Sequence, residues 1–182
     1  MDNPCEEKTS PISLPDVCTS QTKTYSVDNF EQGIVYYWEV VGGELSATTG
    51  SEVSVKWADT EGNGTLCVYS KHIETGCVSD KNVYSVKRKK SPTAQFDNAS
   101  VCYGEPLKVM LSGTAPFEVF YSLDGAAKSF KTDNMDYQMD NIPGKYNLIK
   151  VTDANGCNFL PINNNIAIIA PKLNKLTIKK QQ

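Results

Sequence analysis

Histidine occurs once, at His72, and no two of the six cysteines form a Cys-x-x-Cys pair. That leaves little for a Cys/His zinc site. A Gly-x-Ser-x-Gly elbow, a phosphate-cradling glycine loop and a His-Glu-x-x-His helix are all missing, so the commonest hydrolase, nucleotide and metalloprotease motifs have no place here. No apolar run approaches the length of a transmembrane helix. Long stretches of helical periodicity are absent as well. The net charge of −3 names no partner; residues 1–90 carry −4 and residues 91–182 carry +1. No aromatic-basic stripe supports nucleic-acid binding. Two acids could still converge from distant loops for glycoside chemistry, but no spacing nominates them. The chain reads as a non-enzyme with no cofactor and no metal.

What is present is β-pattern. "EVSVKW" alternates strictly, with Val53, Val55 and Trp57 on one face and Glu52, Ser54 and Lys56 on the other, as a half-buried strand does. "VYYWEV" is aromatic and β-branched and stops at Gly42-Gly43, a turn signal. "TLCVYS", "NVYSVKR", "LKVMLSG", "FEVFYSL", "KYNLIKV" and "NIAIIA" continue the series between turn residues. Short strands at this spacing predict an all-β chain with a sandwich in each half. Tyr36, Trp38, Val53, Val55 and Trp57 are the expected core of the first, the two indoles filling a small interior. The boundary is expected near "KRKKSPTAQF", giving an arm over 1–14, a first sandwich over 15–90 and a second over 91–182 with a basic tail. Lys87–Lys90 reads as a solvated strand end and linker.

The cysteines repeat. Cys18 and Cys102 each follow a valine, and Cys77 and Cys157 each follow a glycine, at separations of 59 and 55 residues. An internal repeat of this kind predicts Cys18–Cys77 and Cys102–Cys157 bridges, each worth about 4 kcal/mol in the chain-entropy picture. Cys5 and Cys67 are left as a third pair, unless Cys5 carries a lipid. An even cysteine count suits an oxidising compartment, so an exported protein is expected, secreted to the cell surface or periplasm. Since "MDNPCEEKTS" has neither a basic nor an apolar signal region, a signal peptide is taken to have been removed. A reduced cytosolic protein is the alternative.

Four further features bear on chemistry. Asp133, Asp136 and Asp140 are candidate calcium ligands, but Met135, Tyr137 and Met139 alternate with Asp136, Gln138 and Asp140, which describes a strand with its carboxylates in water better than a calcium loop. Asp59, Glu61 and Asn63 form a turn without regular ligand spacing. His72 is placed near a hairpin tip, in solvent. Tyr103 and Tyr121 are candidates for a surface platform.

The segments "YYWEVVGG", "GSEVSVKW", "GNGTLCVY" and "TGC" resemble PKD-like domains of secreted Bacteroidota proteins, with Tyr36, Trp38, Val40, Gly42, Gly43, Val53, Val55 and Trp57 in the places of the pattern. "VCYGEPLKVML", "GTAPFEVFYSLDG" and "IPGKYNLIKVTDANGC" resemble the companion Ig-like repeat. The resemblance covers roughly residues 15–170. It implies two tandem Ig-like (PKD-like) β-sandwiches from a surface protein of the gliding-motility or type IX secretion kind. The C-terminal "APKLNKLTIKKQQ" lacks the glycine-containing core of a type IX sorting domain. Two functions follow as expectations: a module binding an envelope or surface protein, and a carbohydrate-binding or adhesin module. A bare strand edge or an apolar patch favours the first. A line of exposed aromatic rings favours the second.

Overall fold

A computed structural model describes residues 11–161 and 165–176, and every regular element among them is a strand. The chain divides between Lys90 and Ser91 into two compact units.

The first unit holds β1 Ile12–Ser13, β2 Val17–Cys18, β3 Thr22–Ser26, β4 Ile34–Val41, β5 Gly43–Leu45, β6 Glu52–Trp57, β7 Gly62–His72 and β8 Asn82–Lys89. One sheet runs β1-β8-β7-β4, with β2 also on β8, and a second runs β3-β6-β5. β1 and β2 lie parallel to β8, and the remaining pairings are antiparallel. The alternation in β6 buries Val53, Val55 and Trp57 against Val17, Trp38, Leu66, Val68 and Val86, while Tyr36 packs at the margin. Gly42, at φ +82°, carries the chain from the first sheet into the second, a conformation that a side chain would strain. Gly64 lies under the Trp57 ring, where a Cβ would come within 2.5 Å of it.

The second unit holds β9 Thr93–Phe96, β10 Ser100–Val101, β11 Lys108–Ser112, β12 Phe117–Leu123, β13 Ala126–Thr132, β14 Asp136–Gln138, β15 Gly144–Thr152, β16 Asn158–Phe159 and β17 Ile166–Ile169. Its sheets run β10-β17-β15-β12-β13, with β16 on β15, and β14-β11-β9. Asp124-Gly125, both at positive φ, makes the tight β12–β13 turn that suits strand twist. The two units share a plan: β3, β4, β6, β7 and β8 correspond to β11, β12, β14, β15 and β17. In each, a short early strand lies parallel to the last.

Tyr146, two residues into β15, donates its hydroxyl to the carbonyls of Ile142 (2.8 Å) and Asp140 (3.0 Å). A tyrosine tied back to the preceding corner in this way is a mark of immunoglobulin-type sandwiches. Burial pushes the phenol above its ordinary value, partly offset by the bond to Ile142. A raised folded-state value favours the neutral ring. Its stabilisation is therefore present below the unfolded phenol value near 10 and is lost as pH climbs past it. Tyr146→Phe is expected to destabilise the second unit by about 1–2 kcal/mol at neutral pH and to flatten its loss of stability above pH 10, read by calorimetry across pH.

Several sequence expectations are corrected here. Cys77 and Cys102 are free, exposed thiols, so neither repeat-based bridge forms; Cys18, Cys67 and Cys157 are each disulfide-bonded. The reason is topological. Parallel pairing sets Cys18 beside Lys89, at the far end of β8 from the hairpin that carries Cys77. A strand rises about 3.3 Å per residue, so β8 separates them by roughly 23 Å, against about 7 Å for the Cα atoms of a disulfide. In the second unit Cys102 follows Val101, paired with Ile169 at the Gly144 end of β15, while Cys157 adjoins Asn158 at the Thr152 end. Cys5, and with it the Cys5–Cys67 expectation, lies outside the described residues, as do residues 177–182 of the basic tail.

Arg88 is the second correction. Read as part of a solvated run, it is only 7% exposed, because β8 points Tyr84, Val86 and Arg88 alternately inward. Its guanidinium donates to the carbonyls of Gly42 (2.6 Å) and Thr60 (3.1 Å). Tyr121 is buried, stacked on Tyr146, not a surface ring. Met135 is exposed because β14 begins only at Asp136; its carbonyl still accepts from Leu111.

Candidate functional site

The chemistry-bearing residues do not converge. Among the described residues no group of three or more His, Cys, Asp or Glu is placed to hold a metal. Asp136 pairs with Lys108 at 3.0 Å. His72 ends β7, half-buried, and its Nδ1 accepts from Thr75 N–H.

Aromatic rings form no binding row either. Tyr37 and Tyr69 on the outer face of the first unit stack at 5.2 Å, and Lys81, ion-paired with Glu39, lies over Tyr69. Stacked rings cover each other's faces and leave no flat platform for a sugar. The most exposed aromatics, Phe30 and Tyr103, lie one in each unit; Phe30 is tilted against Tyr36 at 6.2 Å and Tyr103 has Lys172 over its ring.

Strand edges are the remaining surfaces, and among the strands paired on one side only, two bear on binding. β13 pairs only with β12 along all seven of its residues. Its Lys128 and Lys131 repel a second copy, as edge lysines commonly do. β3 is the other. It pairs with β6 alone, whereas its counterpart β11 is flanked by β14 on one side and β9 on the other. β9 shows what the second neighbour contributes: it runs antiparallel to β11, sets Ala94 opposite Leu111 and Phe96 opposite Val109, and buries Ala94 in the core.

Where that neighbour would lie beside β3, the first unit has a cleft of about 320 Å³, lined by Leu14, Tyr25, Val27, Trp38, Leu66, Val68 and Tyr84, with Asp28 and Asn82 also contributing. This is the low end of pocket sizes, room for a few side chains. Tyr25 faces inward, edge-on to Trp57, whose Nε1 donates to its hydroxyl at 3.2 Å. Burial pushes that phenol up, against the pull of the Trp57 bond. Lys23 pairs with Val55 and Tyr25 with Val53, so both share the inward face, yet Lys23 is exposed. A larger depression of about 580 Å³ by Ser20, Gly42, Glu44, Lys56 and Asp59 surrounds only Trp57 and Ala58 with polar groups. It offers an incoming strand little to fill.

Sequence reasoning missed β3. "TKTYS" has one large apolar residue and a lysine where alternation asks for a second. The signal lay in comparing it with "KVMLS" in the other half.

Residues 92–167 match the family described as nucleoporin pom152-like, ninth immunoglobulin-like domain. The second unit is similar to an Ig-like domain. With the strand order and the Tyr146 corner, the fold class is all-β, of Ig-like sandwiches. No curated protein matches the chain. Among solved structures it is similar to the I67–I69 I-band fragment of titin (15% identity, TM-score 0.39, 89% of this chain and 63% of that one). It is also similar to the D00–D0 domain of intimin (9%, 0.37, 86% and 96%) and to the Yersinia pseudotuberculosis adhesin InvE (13%, 0.32, 88% and 57%). The chain thus spans less than two thirds of the titin fragment. These scores are low, and the fold assignment does not rest on them. No helix among the described residues is long and apolar enough to cross a membrane.

Proposed function

We propose that the chain is a non-enzymatic protein-interaction module that accepts an extended strand of a partner protein along β3. One observation carries this reading: β3 is paired on one side among the described residues, its counterpart β11 on both, and the cleft at Tyr25 and Val27 is lined by no residue of β6, the strand on the paired side. Strand addition of this kind takes affinity from main-chain bonds and specificity from alternate side-chain pockets. The register defines the partner. An antiparallel strand places one residue opposite Tyr25, over the cleft, and another two positions later opposite Lys23. The fitting pattern is apolar-x-acidic. The bonded cysteines support an oxidising compartment, and the sequence resemblance supports a bacterial envelope or surface, in the setting of gliding or type IX secretion.

The test uses a synthetic octapeptide with the sequence of residues 91–98 bearing Ala94→Leu and Phe96→Glu. Both tryptophans lie in the first unit, and Trp38 lines the cleft, so fluorescence follows binding. A saturable change with a dissociation constant of about 0.1 mM, some 5.5 kcal/mol, is expected. Val27→Asp, or lysine in place of the peptide's glutamate, is expected to weaken it at least tenfold. No saturable response at millimolar peptide would reject the proposal.

A further inference from the structure

Four cysteines occupy two equivalent positions in the two units, and each position is seen once bonded and once free. The valine-cysteine position follows or ends the short strand that lies parallel to the last strand. The glycine-cysteine position follows the long central strand, at the opposite end of the unit. Cys18 is bonded and its equivalent Cys102 is free and exposed; Cys157 is bonded and its equivalent Cys77 is free and exposed.

Location orders these states. Cys18 lies beside Lys89, at the end from which the chain leaves the first unit through Lys90. Cys157 lies in the turn fastened to Thr114 by the Ala154 N–H, beside Gly113, whose missing Cβ would press on Pro92. That is the end at which the chain comes into the second unit. Each bonded position thus lies at its own unit's end nearest the linker, and Cys77 and Cys102 lie at the ends away from it. A within-unit bridge is ruled out for both by the strand length that separates the two positions.

We infer that Cys77 and Cys102 are cross-linking positions, whose partners are cysteines on further units of this kind. Cys77 takes a valine-cysteine sulfur, and Cys102 takes a glycine-cysteine sulfur. The neighbouring unit belongs either to the same polypeptide or to another copy, and the chemistry is the same. Exposed thiols meet the access requirement for exchange. The oxidant is a small-molecule or protein disulfide. The thiolate of Cys102 attacks it, releases one thiol and forms a mixed disulfide; the neighbour's thiolate then displaces the second thiol. Two protein thiols lose two electrons and two protons overall, and the disulfide donor becomes two thiols.

The experiment incubates the full chain with glutathione disulfide and resolves it without reductant. Between copies, Cys77 of one chain joins Cys102 of the next, so a ladder of multimers is expected. Cys77→Ser and Cys102→Ser should each collapse the ladder to monomer and at most dimer, with the melting temperature unchanged because both side chains are exposed. Peptide mapping of material from the native source separates the two origins: a Cys77–Cys102 peptide identifies a second copy, and a bridge to a peptide outside these residues identifies a flanking unit. Either supports the inference. Glutathione adducts with no ladder would overturn the second-copy arm, and free thiols or small-molecule adducts at both positions in the native material would overturn the inference as a whole. The result is independent of strand binding at β3.

Discussion

Trp57→Ala is expected to unfold the first unit under conditions where the second remains folded. The ring is 1% exposed and meets the core from several sides. Gly64 and Gly43 lie against its face, Tyr25 meets it edge-on, and its Nε1 donates to the Tyr25 hydroxyl. Truncating a buried indole costs about 3–5 kcal/mol through lost burial and the cavity left behind, a large part of the 5–15 kcal/mol that holds a typical domain. Two backbones approach the ring closely because two glycines allow it, so on those sides no side chain can swing in and fill the space. Trp38 remains in this unit as a fluorescent reporter. Denaturant unfolding should show its transition shifted to much lower denaturant while the second unit's tyrosine signal is unmoved. A shift of less than about 1 kcal/mol would show that Trp57 is not the centre of this core.

Asp153→Ala should do comparable damage to the second unit, by a different route. The Asp-Ala-Asn-Gly-Cys turn is built around this carboxylate, in a residue only 5% exposed. Its oxygens accept from the backbone N–H groups of Asn155 (3.0 Å), Cys157 (3.0 Å) and Thr114 (3.3 Å), and from the Asn155 side chain (3.3 Å). Removing it takes the partner from the buried Cys157 N–H and from the more exposed donors of Asn155 and Thr114, at roughly 1–3 kcal/mol for a buried donor left without a substitute and less for the others. A total near 3 kcal/mol is expected, with Asp153→Asn less harmful because one acceptor oxygen survives. Calorimetry should place the loss in the second unit's transition. Equal losses in alanine and asparagine variants would mean that the hydrogen bonds contribute little beyond the charge.

Much of this architecture was legible in the chain. The two-residue alternation of "EVSVKW" carried its own burial pattern, and the glycines and Asp124-Gly125 marked turns that the structure makes. Pairing between distant strands was not legible. Whether the first short strand of a unit runs parallel or antiparallel to the last is decided by the packing of the whole sandwich. That choice put Cys18 and Cys77 at opposite ends of β8. Arg88 and Tyr121 were misread for a related reason: charge and ring chemistry were weighed residue by residue, while the inward phase of β8 and β12 decided where each side chain went. β3 shows the reverse case. An exposed lysine on the inward face looks like a broken pattern in sequence, and in the fold it marks an edge whose outer neighbour is absent among the described residues.

Residue-resolved amide hydrogen exchange on the full chain, alone and with the apolar-x-acidic octapeptide, tests strand acceptance most directly. Alone, the outward N–H groups of Thr22–Ser26 should exchange much faster than those of the doubly flanked β11. At saturating peptide their protection should rise at least tenfold, while β13 is unchanged. Protection of β3 already present without peptide, or protection that appears on β13 instead, would contradict the account.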